Sequence, residues 1–96
     1  MNKGMGRLIT RVKIMPADVD VNLDALVEKV KDNMPDGIQV KRYSKEPIAF
    51  GISALILDMV MDEDTASTDS LEERLRSIDG VGEVEVVSMS RESARL

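Results

Sequence analysis

The chain has no cysteine and no histidine among its 96 residues. Without thiols there is no disulfide, no thiolate nucleophile and no cysteine-held zinc, which fits a reducing interior and a cytoplasmic location. Without imidazole, the side chain best suited to moving protons near neutral pH is missing, and so is the commonest metal ligand. No catalytic residue, cofactor or metal is therefore assigned, and the chain is expected not to be an enzyme. Aromatics amount to one Tyr and one Phe, too few to build a platform on which bases stack. An excess of positive charge is missing too. The formal charge of -5 works against phosphate binding, so no direct nucleic-acid partner is expected. Lys3 and Arg7 are followed by no apolar run of signal-peptide length, and no segment is long enough to span a bilayer, so no membrane partner is expected.

A chain of this length makes one domain, residues 1–96, and can bury roughly two-thirds of its extended surface, enough for a two-layer core. Met5-Gly6-Arg7-Leu8-Ile9-Thr10 matches a myristoylation pattern, but Gly6 is not second in the chain. Met5 is read instead as an original start, with Met1 to Gly4 an extension before it, so that order is not expected over residues 1–5.

Hydrophobic periodicity organises the rest. From Arg7 to Met15, Leu8, Thr10, Val12 and Ile14 alternate with Arg7, Ile9, Arg11 and Lys13, the pattern of a half-buried strand. Pro16 ends it. Asp18, Asp20 or Asn22 can cap a helix with Leu23, Leu26, Val27, Val30 and Met34 along one stripe. Pro35-Asp36-Gly37 is turn chemistry, and a second strand begins at Ile38 and Val40. Glu46-Pro47 predicts a further turn, after which Phe50 to Met61 forms a third strand. Its odd positions Leu55, Leu57, Met59 and Met61 form the core face. Phe50, Ile52, Ala54 and Ile56 on the other face predict a central strand with partial cover there. Ser70 and Glu73 stand in capping-box spacing ahead of Leu71, Leu75 and Ile78, with Gly80 at the end of that second helix. Val81 to Met89 is the fourth strand. The order strand-helix-strand, twice, predicts an α+β ferredoxin-like βαββαβ sandwich with a four-stranded antiparallel sheet and both helices on one face.

That fold hosts many functions, so function has to come from a site. Asp58, Asp62, Glu63 and Asp64 lack the glycine and terminal bidentate Glu of a calcium loop and are read as a solvated loop. Glu72, Glu73, Arg74 and Arg76 read as the outer face of a helix. Arg11 and Lys13 project from the non-core side of the first strand, exposed to solvent or to an acidic partner. An acylphosphatase-like loop, a cysteine pair for metal transfer and strand aromatics for RNA are all missing. What remains is Glu46 to Gly51. Phe50 is either a core residue at a strand start or an aromatic projecting at the molecular edge, where a partner could bury it and gain about 1.5 to 3 kcal/mol. Gly51 would let another backbone approach closely.

Glu46-Pro47-Ile48-Ala49-Phe50-Gly51-Ile52 with the apolar strand and Asp62-Glu63-Asp64 after it resembles the archaeal elongation factor 1-beta family. Val12-Lys13-Ile14-Met15-Pro16 and Ile78-Asp79-Gly80-Val81 extend the resemblance over nearly the whole chain from Met5. It implies a nucleotide-exchange domain that binds the GTPase elongation factor 1-alpha, expels GDP and lets GTP bind. It also implies an aromatic anchor, matched by Phe50 with Gly51 after it, on the Pro47 to Gly51 turn, with Pro47 and Ile48 beside it as partner-binding residues. A basic residue near the carboxyl terminus disturbs the magnesium site of the GTPase in relatives, and Arg91 and Arg95 are its candidates here. Ser53 and Ala54 stand where eukaryotic relatives have paired lysines, so no contact of those lysines carries over. The competing readings are a small-molecule-binding regulatory domain and an oligomerisation domain on the same scaffold. Oligomeric state itself is left open.

Overall fold

The computed structural model of the protein describes residues 7–34, 37–62 and 68–92. Residues 1–5, Glu63, Asp64 and Arg95 lie outside them. In chain order the elements are β1 (Arg7–Pro16), α1 (Leu23–Asn33), β2 (Ile38–Ala49), β3 (Ile52–Asp62), α2 (Thr68–Arg76) and β4 (Val81–Glu92). The strands form one antiparallel sheet in the order β2-β3-β1-β4. This is the ferredoxin-like βαββαβ arrangement that the periodicity predicts.

The core follows from the side-chain alternation. Val12 stands opposite Leu57 on β3 and Val86 on β4, and Ile14 stands opposite Leu55 and Val84. All of these point to the face covered by the helices. α1 contributes Leu26, Val27 and Val30, while α2 contributes Leu71 and Leu75, followed by Ile78 in the turn beyond it. Val12, Ile14, Leu55, Leu57, Met59 and Leu75 are fully shut off from solvent. An aromatic-free core is thus filled by aliphatic side chains and methionine, whose flexible thioether adapts to irregular gaps. Asn22 is the cap of α1, accepting a hydrogen bond from the Ala25 N–H at 3.1 Å.

Five boundaries differ from the sequence expectation. The chain does not turn at Glu46-Pro47, because β2 continues through both residues to Ala49. Pro47 is tolerated there since β2 is an edge strand, and a register shift between Pro47 and Ala49 leaves Ile48 as a bulge. Phe50 accordingly belongs to the turn and not to the third strand. α2 begins at Thr68, which places Ser70 inside the helix and not at its cap, and it ends at Arg76, so Gly80 sits in the turn beyond. β4 runs on to Glu92, which makes Arg91 a strand residue.

Gly82 marks a further bulge, between the Met15–Glu83 and Pro16–Val81 pairs. A Cβ there would lie 2.9 Å from the Pro16 carbonyl oxygen, so glycine is needed for the backbones to approach. Beside it the Ala17 N–H donates to the Gly80 carbonyl at 2.9 Å, fixing how the chain leaves β1.

Leu57 occupies the middle of this core, between β1 and β2 and beneath the helices. Leu57→Ala should lower unfolding free energy by about 2 to 5 kcal/mol, measured by urea denaturation. A loss well under 1 kcal/mol would mean that the core is not centred there.

Candidate partner-binding surface

β2 and β3 close into a hairpin in which Ala49 pairs with Ile52, leaving only Phe50 and Gly51 as the turn. Both have positive φ, 55° and 76°. That combination is the signature of the type I′ turn, whose twist matches the flanking strands and which Asn-Gly ordinarily supplies. Gly51 suits it. Phe50 does not, because an L side chain in the left-handed region crowds its own carbonyl at a cost of roughly 1 to 2 kcal/mol. The strain is not offset by packing, since Phe50 is 97% exposed and is the most exposed large hydrophobic residue of those described.

The core alternative for Phe50 is therefore excluded. A Cβ at Gly51 would meet no atom within 4 Å, so this glycine serves the backbone conformation and not a close approach within the chain. The Ile48 bulge aims a second apolar side chain, 42% exposed, into the same neighbourhood. Pro47 precedes it, paired with Ser53. Four of the six residues singled out in the sequence thus cluster on one hairpin end.

Arg91 is elsewhere. It pairs with Leu8 near the start of β1, whereas the hairpin tip lies past the end of that strand. The separation is about nine residue steps, roughly 30 Å at ~3.3 Å per residue, within a molecule whose longest axis is 49 Å. Arg91 also lies on an edge strand away from β2. The structure does not bring it together with Phe50.

The sheet face opposite the helices carries a cluster that sequence reasoning missed. Asp58 is not part of a solvated acidic loop. It lies in the middle of β3, 5% exposed, directly opposite Arg11 on β1 and Arg42 on β2. Arg11 donates from Nε to Oδ1 at 2.9 Å and from its terminal nitrogen to Oδ2 at 3.2 Å, and Arg42 Nε lies 3.2 Å from Oδ2. The hydrogen bond from Arg11 holds the Asp58 carboxyl below the usual carboxylate range; burial opposes this, and the charges of Arg11, Arg42 and Lys41 assist it. The same bond and charge raise the Arg11 guanidinium. One row further, Lys13 reaches over β3 to Glu46 at 3.9 Å. The partial cover expected on the second face of β3 is thus supplied by charged side chains of its neighbours, Arg11 and Arg42 at Asp58 and Lys13 with Glu46 one row further. A lone acid inside an apolar strand, with basic residues in both neighbouring strands, was the available signal for this cluster.

On the helical face, Asp24 of α1 meets Lys45 at 3.0 Å and accepts from the Tyr43 hydroxyl at 3.5 Å, tying the hairpin to the helix. In α2, Arg76 and Glu72 pair at 3.4 Å across one turn, as an outer helix face does. Among the described residues, no group of three or more acidic side chains converges as a metal site would require. No described helix is long and apolar enough to cross a membrane.

Comparison with known proteins decides what this geometry belongs to. The description of the EF-1 guanine nucleotide exchange domain matches residues 9–91. The chain belongs to the EF-1 guanine nucleotide exchange family. Curated members similar to it include elongation factor 1-beta of Hyperthermus butylicus, 41% identical over 91% of this chain and 96% of the relative. Elongation factor 1-beta of Aeropyrum pernix is 43% identical over 91% and 98%, and that of Methanothermobacter thermautotrophicus 36% over the same shares. The family match runs from within β1 to within β4 and so takes in the whole βαββαβ unit, with the hairpin tip and Arg91 inside it.

Two outcomes test this geometry. Phe50→Asn relieves the left-handed strain and should raise folding stability by up to about 1 kcal/mol, read from urea unfolding; a clear loss would show that the ring is packed. Asp58→Asn should lower the unfolding midpoint at pH 7. Because folding depresses the Asp58 pKa, the stabilisation is complete above its unfolded value of about 3.9 and is lost as pH falls through the folded value. The midpoints of wild type and variant should therefore begin to draw together as pH falls below about 3.9 and meet only below the lowered folded value; a gap that stays constant through that fall would contradict the ion-pair account.

Proposed function

We propose that this chain is a guanine nucleotide exchange factor for elongation factor 1-alpha, promoting GDP release and GTP loading during polypeptide elongation in the cytoplasm. It acts by binding and not by covalent chemistry. The observation that carries the reading is Phe50, an aromatic side chain almost fully exposed on a strained two-residue turn, in a chain that matches elongation factors 1-beta over nearly all of their length.

The mechanism is thermodynamic linkage. A protein that binds the nucleotide-free GTPase more tightly than the nucleotide-bound form must weaken nucleotide binding by the same factor. Phe50 supplies affinity when its ring leaves water for the partner surface, with Pro47, Ile48 and Gly51 shaping the tip around it. The turn also lowers the cost of ordering, since a two-residue loop between paired strands has few other conformations. Arg91 and Arg95 are the candidates for a second contact, in which a cation near the magnesium site opposes the metal and competes for its acidic ligands. The distance from the tip to Arg91 means that one partner surface would have to run along the long axis of the sheet.

Release of fluorescent GDP from elongation factor 1-alpha provides the test. The wild-type domain should accelerate release, and Phe50→Ala should reduce that acceleration at least tenfold while the unfolding midpoint stays close to wild type. No acceleration by the folded wild type would overturn the function. Full activity of Phe50→Ala would remove the anchor.

A further inference from the structure

Phe50 is not the only apolar side chain held outward at its end of the molecule. The connection between β1 and α1 contains a four-residue turn in which the Val21 N–H donates to the Asp18 carbonyl at 3.2 Å, and the Asp18 carboxylate accepts from the Asp20 N–H at 3.3 Å. This double bracing puts Val19 at the tip, 61% exposed. The Ala17–Gly80 hydrogen bond and the close approach of Gly82 to Pro16 anchor the base of the loop. Val19 is therefore held on a short rigid turn, as Phe50 is, and not on a long pliable loop. Between the two tips lies a cavity of about 190 Å³ whose walls include Val19, Val21, Leu23 and Gly51 on one hand and the polar Lys45 and Ser53 on the other. Asp18 and Asp20, both exposed, flank Val19.

An isolated exposed valine needs no explanation. Val19 differs because it shares a pocket with the Phe50–Gly51 turn and is fixed by bonds that its own side chain does not use. We propose that Val19 is a second anchor for the same GTPase, an inference that rests on the exchange-factor reading. The two tips straddle one ridge of the partner, which makes its apolar contacts with Val19 and Phe50 on either side of the mixed, partly polar pocket between them. The acidic residues beside Val19 call for lysine or arginine at the ridge margin, which would speed encounter in a salt-sensitive way. The ligand class is thus a protein ridge with apolar contacts for the two tips, Val19 and Phe50, and a basic rim beside Asp18 and Asp20.

Val19→Thr keeps the β-branched shape and makes the tip polar. In the GDP-release assay it should raise the half-saturating concentration about five- to tenfold with maximal release and unfolding midpoint unchanged. Val87→Thr, at a comparably exposed position on the other sheet face, should leave both at wild-type values. Combined with Phe50→Ala, Val19→Thr should add less than it does alone, because the two tips grip one ridge. Asp20→Asn should flatten the fall of association rate with added salt. Wild-type behaviour of Val19→Thr alongside an impaired Phe50→Ala would overturn the second anchor and leave the exchange function standing. An equal effect of Val87→Thr would overturn it as well, and an unchanged salt slope for Asp20→Asn would overturn the basic rim. Absence of acceleration by wild type would instead reject the function itself.

Discussion

The two-residue turn at Phe50–Gly51 is the constraint from which the exposed surface follows. Closing β2 onto β3 with only two residues fixes the pairing of Ala49 with Ile52, and with it the face on which each later residue lands. Leu55, Leu57, Met59 and Met61 are sent to the helices and Asp58 to the opposite face. A turn one residue longer would exchange these sets, exposing the core positions and burying a carboxylate among aliphatic groups. The register is pinned a second time where Asp58 stands level with both Arg11 and Arg42. A slip of one residue on either side would leave a nearly buried carboxylate without its partner, a costly state in a low-dielectric site.

The same turn separates two demands that usually compete. Core side chains are selected for shape, and a core without aromatics is adaptable but has no large rigid ring to offer a partner. Here the only phenylalanine stands outside the core, on a hairpin end tied to α1 through Asp24, Lys45 and Tyr43. A left-handed backbone at a non-glycine residue persists only where the surrounding pairing enforces it. Long ladders on both sides of the turn provide that enforcement. A substitution at the tip is thus free to change binding without removing a core contact.

Most of the fold could be read from the sequence because it rests on local alternation. Leu8, Thr10, Val12 and Ile14 in β1 and the odd positions of β3 named the buried face correctly, and Asn22 was among the proposed caps. The errors arose where tertiary context overrode a local signal. Pro47 read as a turn because proline is costly inside a sheet, yet its missing N–H does not matter on the outer side of an edge strand. Ser70 and Glu73 had capping-box spacing, but the helix had already begun at Thr68. Asp58 was grouped with the acids that follow it in sequence, while its partners come from strands 47 and 16 residues away, as its spacing from Arg11 and Arg42 shows. Such pairing is invisible until the register is known. The exposure of Phe50 was one of two alternatives in the sequence, and only the turn geometry selects between them.

The family to which the chain belongs is defined by nucleotide exchange, and exchange is a matter of binding. An exchange factor has no proton to move and no bond to form; its effect is set by the difference between its affinities for two states of another protein. Such a difference is best built from rigid groups, because flexible contacts adjust to both states and so discriminate poorly. A ring on a two-residue turn discriminates well, since it can enter only a surface already shaped for it. Charge works along with this. A chain with a formal charge of -5 lacks the long-range attraction that draws a basic protein to phosphate and favours encounter with surfaces of positive charge. Shape at the tip and charge around it therefore act on the same choice, one at contact and the other before it.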